Sequence, residues 1–121
     1  MAIEFSMNRT CAPQLSFPAF IGLVSAAGIG AVEIRNDIPR QEFMDGTPAE
    51  AVRSQLDAAG IRIASVNALQ RFNDWNPDRE AEARTLMTYA AKVGAPGAVL
   101  CPVHNPDHGW TEGQSERNLR H

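Results

Sequence analysis

The chain has 121 residues, 44% of them hydrophobic and 21% charged, which is enough for one globular domain with a single core and too short for most multidomain enzymes. Net charge is −3 and the 11 basic residues are scattered along the chain, which argues against a nucleic-acid partner. Apolar runs fall far short of the roughly 20 residues of a membrane span, and Met1-Ala2-Ile3-Glu4-Phe5 carries no basic leader.

Taken in chain order, Ile3–Asn8 alternates apolar and polar side chains and predicts a first strand. Ser16 suits an N-cap, and Phe17, Phe20, Ile21 and Val24 then recur at helical spacing up to Gly28, which suits a left-handed helix end. Ala31-Val32-Glu33-Ile34 predicts the second strand. Thr47-Pro48-Ala49-Glu50 predicts a capping box, with Thr47 as the cap, at the head of a second helix that closes at Gly60. Ile61–Val66 predicts a third strand. Asn76-Pro77 opens a third helix that carries Leu86, Met87, Ala90 and Val93 on one face before Gly94, and Ala98–Cys101 predicts a fourth strand.

The glycines at 28, 60 and 94 are nearly evenly spaced, each between a helix and a strand, so the pattern is a repeat of parallel βα units. Such a repeat builds either an open doubly wound sheet or a closed (β/α)8 barrel. Glu4, Ser6 and Asn8 alternate with Ile3, Phe5 and Met7, and Glu33 and Arg35 alternate with Val32 and Ile34. Strands with one polar face do not suit the twice-covered strands of an open sheet. No phosphate-binding glycine loop follows the first strand either, so the barrel is preferred. A whole barrel takes about 250 residues. The expectation is therefore an α/β chain forming the first half of a (β/α)8 TIM barrel, residues 1–121, with about four strands and three to four helices. It would be cut within a fourth helix that Thr111-Glu112-Gly113-Gln114 announces.

Function in a parallel βα array collects at the C-terminal ends of the strands. Those positions hold Asn8, Arg9 and Thr10; Glu33, Arg35, Asn36 and Asp37; Asn67, Gln70, Arg71, Asn73 and Asp74; and His104, Asn105, Asp107 and His108. Amides, guanidinium groups and carboxylates in such a ring suit the hydroxyls of a polyol or sugar, with Trp75 or Trp110 offering an apolar face. Glu33 reads as a hydroxyl acceptor or general base, or else as the ion-pair partner of Arg35 or Arg9. Asn67 reads as a substrate contact or as a partner of loop backbone. His104 reads as an acid, a base, a metal ligand or an uncommitted side chain, and Pro106 argues against a joint metal site with His108. Arg71, Asp74 and the run from Asp78 to Arg84 read as solvated surface. Cys11 and Cys101 have no CxxC partner and read as reduced, buried side chains of a cytoplasmic protein.

The segments Val32-Glu33-Ile34-Arg35 and Asn67-Ala68-Leu69-Gln70-Arg71-Phe72-Asn73, with Phe5-Ser6-Met7-Asn8, resemble the xylose isomerase-like sugar isomerase and epimerase superfamily of (β/α)8 barrels. The likeness is strongest to the inosose isomerases of myo-inositol catabolism and runs from about residue 3 to 105. It implies a metal-dependent enzyme that moves a carbonyl along a polyol by proton abstraction next to the carbonyl, through an enediolate. It also implies a divalent cation (Mn, Zn or Mg) held mainly by later strands in the full-length protein, so that no metal site is expected to be complete in this chain. Glu33 and Asn67 fall on family segments at the pocket rim. With Asn8, Arg35 and His104 they form the expected substrate-binding set, and no catalytic residue is assigned. The leading expectation is an N-terminal fragment that is inactive alone. The alternative is a half-barrel binding or assembly module that closes by homodimerisation through its open sheet edges.

Overall fold

A computed structural model describes residues 3–103. Strands and helices alternate along it as β1 (Ser6–Asn8), α1 (Phe17–Ala26), β2 (Ala31–Arg35), α2 (Ala49–Ala58), β3 (Arg62–Gln70), α3 (Pro77–Val93) and β4 (Ala98–Cys101), with a 3-10 turn at Arg9–Cys11. All three strand pairs are parallel and the sheet order is β1-β2-β3-β4. A doubly wound sheet reverses its strand order at a switch point. Here each strand lies beside its predecessor, which is the progression of a barrel wall.

The repeat seen in the sequence has one physical cause, a helix end used three times. The Gly28 N–H donates to the Ser25 carbonyl and the Ile29 N–H to that of Val24. Gly60 and Ile61 donate in the same way to Asp57 and Leu56, and Gly94 and Ala95 to Ala91 and Ala90. This is the Schellman motif, which satisfies carbonyls that a helix end leaves unpaired and requires a left-handed residue at the turn. Gly28, Gly60 and Gly94 supply it with φ of 68°, 67° and 82°. In each case the next residue is apolar and turns the chain back into the core as it enters a strand.

The core lies between the helices and one sheet face. Phe17, Phe20 and Val24 of α1, Val52 and Leu56 of α2, and Leu86, Ala90 and Val93 of α3 pack with Val32, Ile34, Ile63, Val66 and Leu69 of the sheet. Strict alternation would place Ile63, Ser65 and Asn67 on one face. Instead the β2–β3 register shifts between Val32 and Glu33, and the β3–β4 register shifts between Asn67 and Leu69. Each shift inserts an extra residue, as in a β-bulge. Ile63, Val66 and Leu69 thereby reach the core while Ser65 and Asn67 stay opposite it.

Several predicted boundaries are corrected. β1 is shorter than Ile3–Asn8, because β2 begins at Ala31 opposite Ser6 and offers nothing to residues 3–5. Ile3 and Phe5 are consequently 82% and 70% exposed. β3 runs past Val66 to Gln70, so Asn67 lies within the strand rather than beyond it. The Thr47 cap does not form. Pro48 is the N-cap and α2 has no side-chain cap, its carbonyl accepting from Ala51 and Val52 while the Thr47 N–H donates to Asp45 at 2.8 Å. Pro48 itself keeps an extended ψ of 137°, so the helix starts one residue later than the sequence predicts. Met87 is 53% exposed and lies off the Leu86, Ala90, Val93 stripe. Ser16 and Asn76 cap α1 and α3 as expected, accepting from Ala19 and Arg79. Among the described residues no helix is long and apolar enough to cross a membrane.

Two outcomes follow. Gly60→Ala meets no steric obstacle, since nothing lies within 4 Å of the added Cβ, but the residue must hold a φ of 67°. Urea denaturation should show a loss of about 1–2 kcal/mol, the cost of a left-handed L-residue; a neutral result would mean the turn relaxes. Tyr89 packs edge-on against Phe43 with ring centroids 4.6 Å apart, and its hydroxyl is buried without a partner among the described residues. Burial, with smaller contributions from Glu42 and Asp45, raises the phenol pKa. The folded state then holds the proton more tightly than the unfolded chain, so stability declines as pH rises above roughly 10, the ordinary phenol value. Thermal melts across that range should show the decline in the native chain and lose it in Tyr89→Phe.

Candidate functional site

The sheet face opposite the core carries a polar array centred on Glu33. The register sets Asn8, Glu33 and Ser65 side by side on β1, β2 and β3. The Asn8 amide donates to Glu33 Oε1. The Asn67 amide donates to the same oxygen at 3.3 Å, and the Ser65 hydroxyl donates to Oε2 at 2.5 Å. Three uncharged donors, one from β1 and two from β3, thus converge on one half-buried carboxylate of β2. A carboxylate has about four acceptor positions, and each amide nitrogen carries a second hydrogen. The array therefore offers both acceptors and donors to a hydroxylated ligand.

Three members of the expected set, Asn8, Glu33 and Asn67, are brought together. Arg35 lies on the same strand face but commits its guanidinium to Asp37, through Nε at 2.8 Å and a terminal nitrogen at 2.5 Å. That bidentate pair raises the Arg35 pKa and lowers that of Asp37, with Glu33 contributing to the Arg35 shift through its charge. His104 lies outside the described residues, as do Asn105, Asp107, His108, Trp110 and the helix expected from Thr111. Ser65 was not among the sequence candidates. Period-2 reading groups it with the core residue Ile63, and the bulge that separates them leaves no mark in the composition.

The alternative reading of Glu33, an ion pair with Arg9 or Arg35, does not form, since Arg9 pairs with Glu42 and Arg35 with Asp37. Arg9 is fully buried and its Nε donates to Glu42 at 2.6 Å, the two side chains being 0% and 2% exposed. Its terminal nitrogens donate to the carbonyls of Ala12 and Leu15 and to the Gln41 side chain. The guanidinium carbon lies 4.7 Å from the centroid of the Phe20 ring, a cation–π contact. A buried charge persists when its hydrogen-bonding positions are filled, and here the β1–α1 and β2–α2 connections fill them together.

Asparagines tie the second and third of these strand-to-helix connections to the backbone of the next strand or just past its end. The Asn36 amide donates to the Ala68 carbonyl at 3.0 Å and its Oδ1 accepts from the Ala68 N–H at 2.7 Å. Asn73 repeats this with the Val103 N–H at 2.8 Å and carbonyl at 3.4 Å. Cys11 is exposed rather than buried, because it sits on the outer side of the 3-10 turn; Cys101 is half-buried and both are free thiols. Trp75 is half-buried, packing in part against the core and lining a surface cleft with Glu80, Ala83, Arg84 and Met87. Arg71 pairs with Asp74 and Arg84 with Glu80 at the surface, as expected.

No group of three or more His, Cys, Asp or Glu among the described residues could hold a metal ion. The neighbours of Glu33 are amides and a hydroxyl, which do not fit a catalytic cation site. An open groove between α2 and α3, lined by Phe43, Pro48, Thr85, Thr88 and Tyr89, lies on the helix side and is remote from the Glu33 array.

No protein-family model and no curated protein matches the chain. Solved structures do. A xylose isomerase domain containing protein from Salmonella typhimurium LT2 superposes with a TM-score of 0.87 at 31% identity, over 99% of this chain and 45% of that one. A xylose isomerase-like TIM barrel/4-hydroxyphenylpyruvate dioxygenase fusion protein superposes at 0.80 with 20% identity, over 99% of this chain and 19% of that one. A protein from Sinorhizobium meliloti 1021 gives 0.63 at 17% identity, over 95% and 43%. The chain thus spans less than half the length of these structures. Its four parallel strands and three helices are half of a TIM barrel wall, and its structural neighbours include xylose isomerase-like TIM barrel proteins.

The buried pair yields a stability test. Arg9→Met leaves Glu42 buried without its partner and should cost about 3–5 kcal/mol. Arg9→Met combined with Glu42→Leu should cost less than Arg9→Met alone in chemical denaturation. A double variant no more stable than the single would show that the stranded carboxylate is not the source of the loss.

Proposed function

We propose that this chain is the N-terminal half of a metal-dependent sugar or inosose isomerase or epimerase, and that its part is to bind substrate hydroxyls. The observation that carries the reading is the Glu33 carboxylate, held by Asn8, Ser65 and Asn67 on the face opposite the core. The superposition on a xylose isomerase domain containing protein supports the class of chemistry. In this reading Glu33 accepts a hydrogen bond from one substrate hydroxyl, while the second N–H groups of Asn8 and Asn67 donate to a neighbouring oxygen. Such paired contacts suit a vicinal diol better than an isolated hydroxyl. Arg35, tied to Asp37, borders the array and excludes a bulky apolar group there. The cation that the reaction class requires would draw its ligands from residues outside those described, since the donors around Glu33 do not suit it. The chain by itself is then without isomerase activity.

Titration of the 121-residue chain with scyllo-inosose or myo-inositol, followed by NMR, tests the reading. Resonances of Asn8, Ser65 and Asn67 should move. Glu33→Ala should weaken binding about tenfold or more, the loss of one hydrogen bond to a charged acceptor. No perturbation at these residues with either compound would overturn the polyol site. Turnover of scyllo-inosose by the chain alone with added Mn2+ would overturn its assignment as an inactive half.

A further inference from the structure

The Asn67 side chain shares the Glu33 face with Ser65, two residues before it, and β3 bulges immediately afterwards, between Asn67 and Leu69. Asn67 pairs with Val99 and Leu69 with Leu100, which leaves Ala68 as the extra residue without a ladder partner. A bulge of this kind exposes the backbone N–H and carbonyl of its extra residue, and burying them unpaired is costly. Ala68 is 2% exposed. Its two backbone groups are both met by the side chain of Asn36, the first residue after β2, at 2.7 Å and 3.0 Å. The Asn36 backbone N–H also donates to the Asn67 carbonyl at 2.8 Å. Three hydrogen bonds from one residue therefore surround the peptide unit that joins Asn67 to Ala68. Asn36 takes the place of a neighbouring strand residue at the point where the ladder is broken.

We infer that Asn36 is a positioning residue, which holds the backbone of Asn67 and Ala68 and through it the aim of the Asn67 amide at Glu33. Asn36 itself makes no contact with the carboxylate. Its side chain is suited to the task because one amide supplies a donor and an acceptor in a plane, matching the N–H and carbonyl of a single residue. Aspartate keeps the acceptor and lacks the donor, and alanine lacks both. The consequence for substrate binding rests on the polyol reading of the Glu33 array; the control of Asn67 by Asn36 does not.

The test follows side-chain amide resonances of the 121-residue chain without added sugar. Glu33→Ala first defines where the Asn67 amide resonates once its acceptor is gone. In Asn36→Ala the Asn67 resonance should shift toward that position, while the Asn8 amide, which reaches Glu33 from β1, stays in place. Asn73→Ala, which removes the equivalent clamp on Val103, should leave Asn67 unmoved. If Asn36→Ala does not fold, Asn36→Asp gives the same reading, because it retains the acceptor for the Ala68 N–H. An unmoved Asn67 resonance in either folded variant overturns the proposal, as does an equal shift in Asn73→Ala. Scyllo-inosose is then added. Weaker binding by about tenfold in Asn36→Ala extends the role to substrate, whereas a moved Asn67 resonance in a chain that binds no inosose upholds the positioning role and overturns only the sugar reading.

Discussion

A guanidinium removed from water must have its charge and its N–H groups met at once, and Arg9 obliges two distant stretches of chain to do so. Glu42 and Gln41 come from the β2–α2 connection, and the carbonyls of Ala12 and Leu15 from the β1–α1 connection. With the Phe20 ring beneath it, Arg9 joins the first helix to the loops on the C-terminal side of the strands. Its immediate neighbour in sequence is Asn8, whose Oδ1 caps the 3-10 turn and whose amide reaches Glu33. The geometry of the first strand end thus depends on a charge that takes no part in the polar array. The ion pair is not in itself a strong source of stability, because desolvation offsets much of its attraction. Its effect is specificity: few other arrangements of these loops would satisfy it.

Two classes of polar contact divide the work on this side of the sheet. Arg9, Asn36 and Asn73 are spent on backbone and on partners within the fold. Glu33 is bound by groups that keep further hydrogen-bonding capacity. The same residue types serve both classes, so composition alone cannot separate them. What separates them is where the partners lie: in the connections and bulged backbone for the first class, on the sheet face opposite the core for the second. The superposition over 45% of a xylose isomerase domain containing protein agrees with four parallel strands that form half of a barrel wall. A helix layer on one face and a polar array on the other is the arrangement such a wall requires.

Much of the architecture was legible beforehand. Helix ends at Gly28, Gly60 and Gly94 could be read because a left-handed Schellman turn strongly favours glycine and the following apolar residue marks the return to the core. The caps at Ser16 and Asn76 could be read because a short polar side chain before a proline-led first turn has few other uses. Thr47 misled because Pro48, unlike Pro77, does not enter the helix but keeps an extended ψ and becomes the cap position itself. Asn8 and Glu33 could be placed on polar strand faces from alternation, whereas Asn67, read at the end of the third strand, lies within it and reaches the same face only because of the register shift before Ser65.

The sequence by itself determined the βα repeat, the identity of the helix faces and the polarity of the strand interiors, because each depends on residues within one or two turns of one another. Only the tertiary structure decided the partners of the charged and amide groups. Arg9 lies adjacent to Asn8 yet binds Glu42, and Glu33 ignores Arg35 two residues away in favour of Ser65 on another strand. The first choice follows from how the two connections meet around Arg9 and the second from register, and the register of β3 carries bulges that bring Ile63, Val66 and Leu69 against the helices. Bulge positions are a compromise between that packing and the backbone hydrogen bonds Asn36 can supply, and such a compromise exists only once the strands have met.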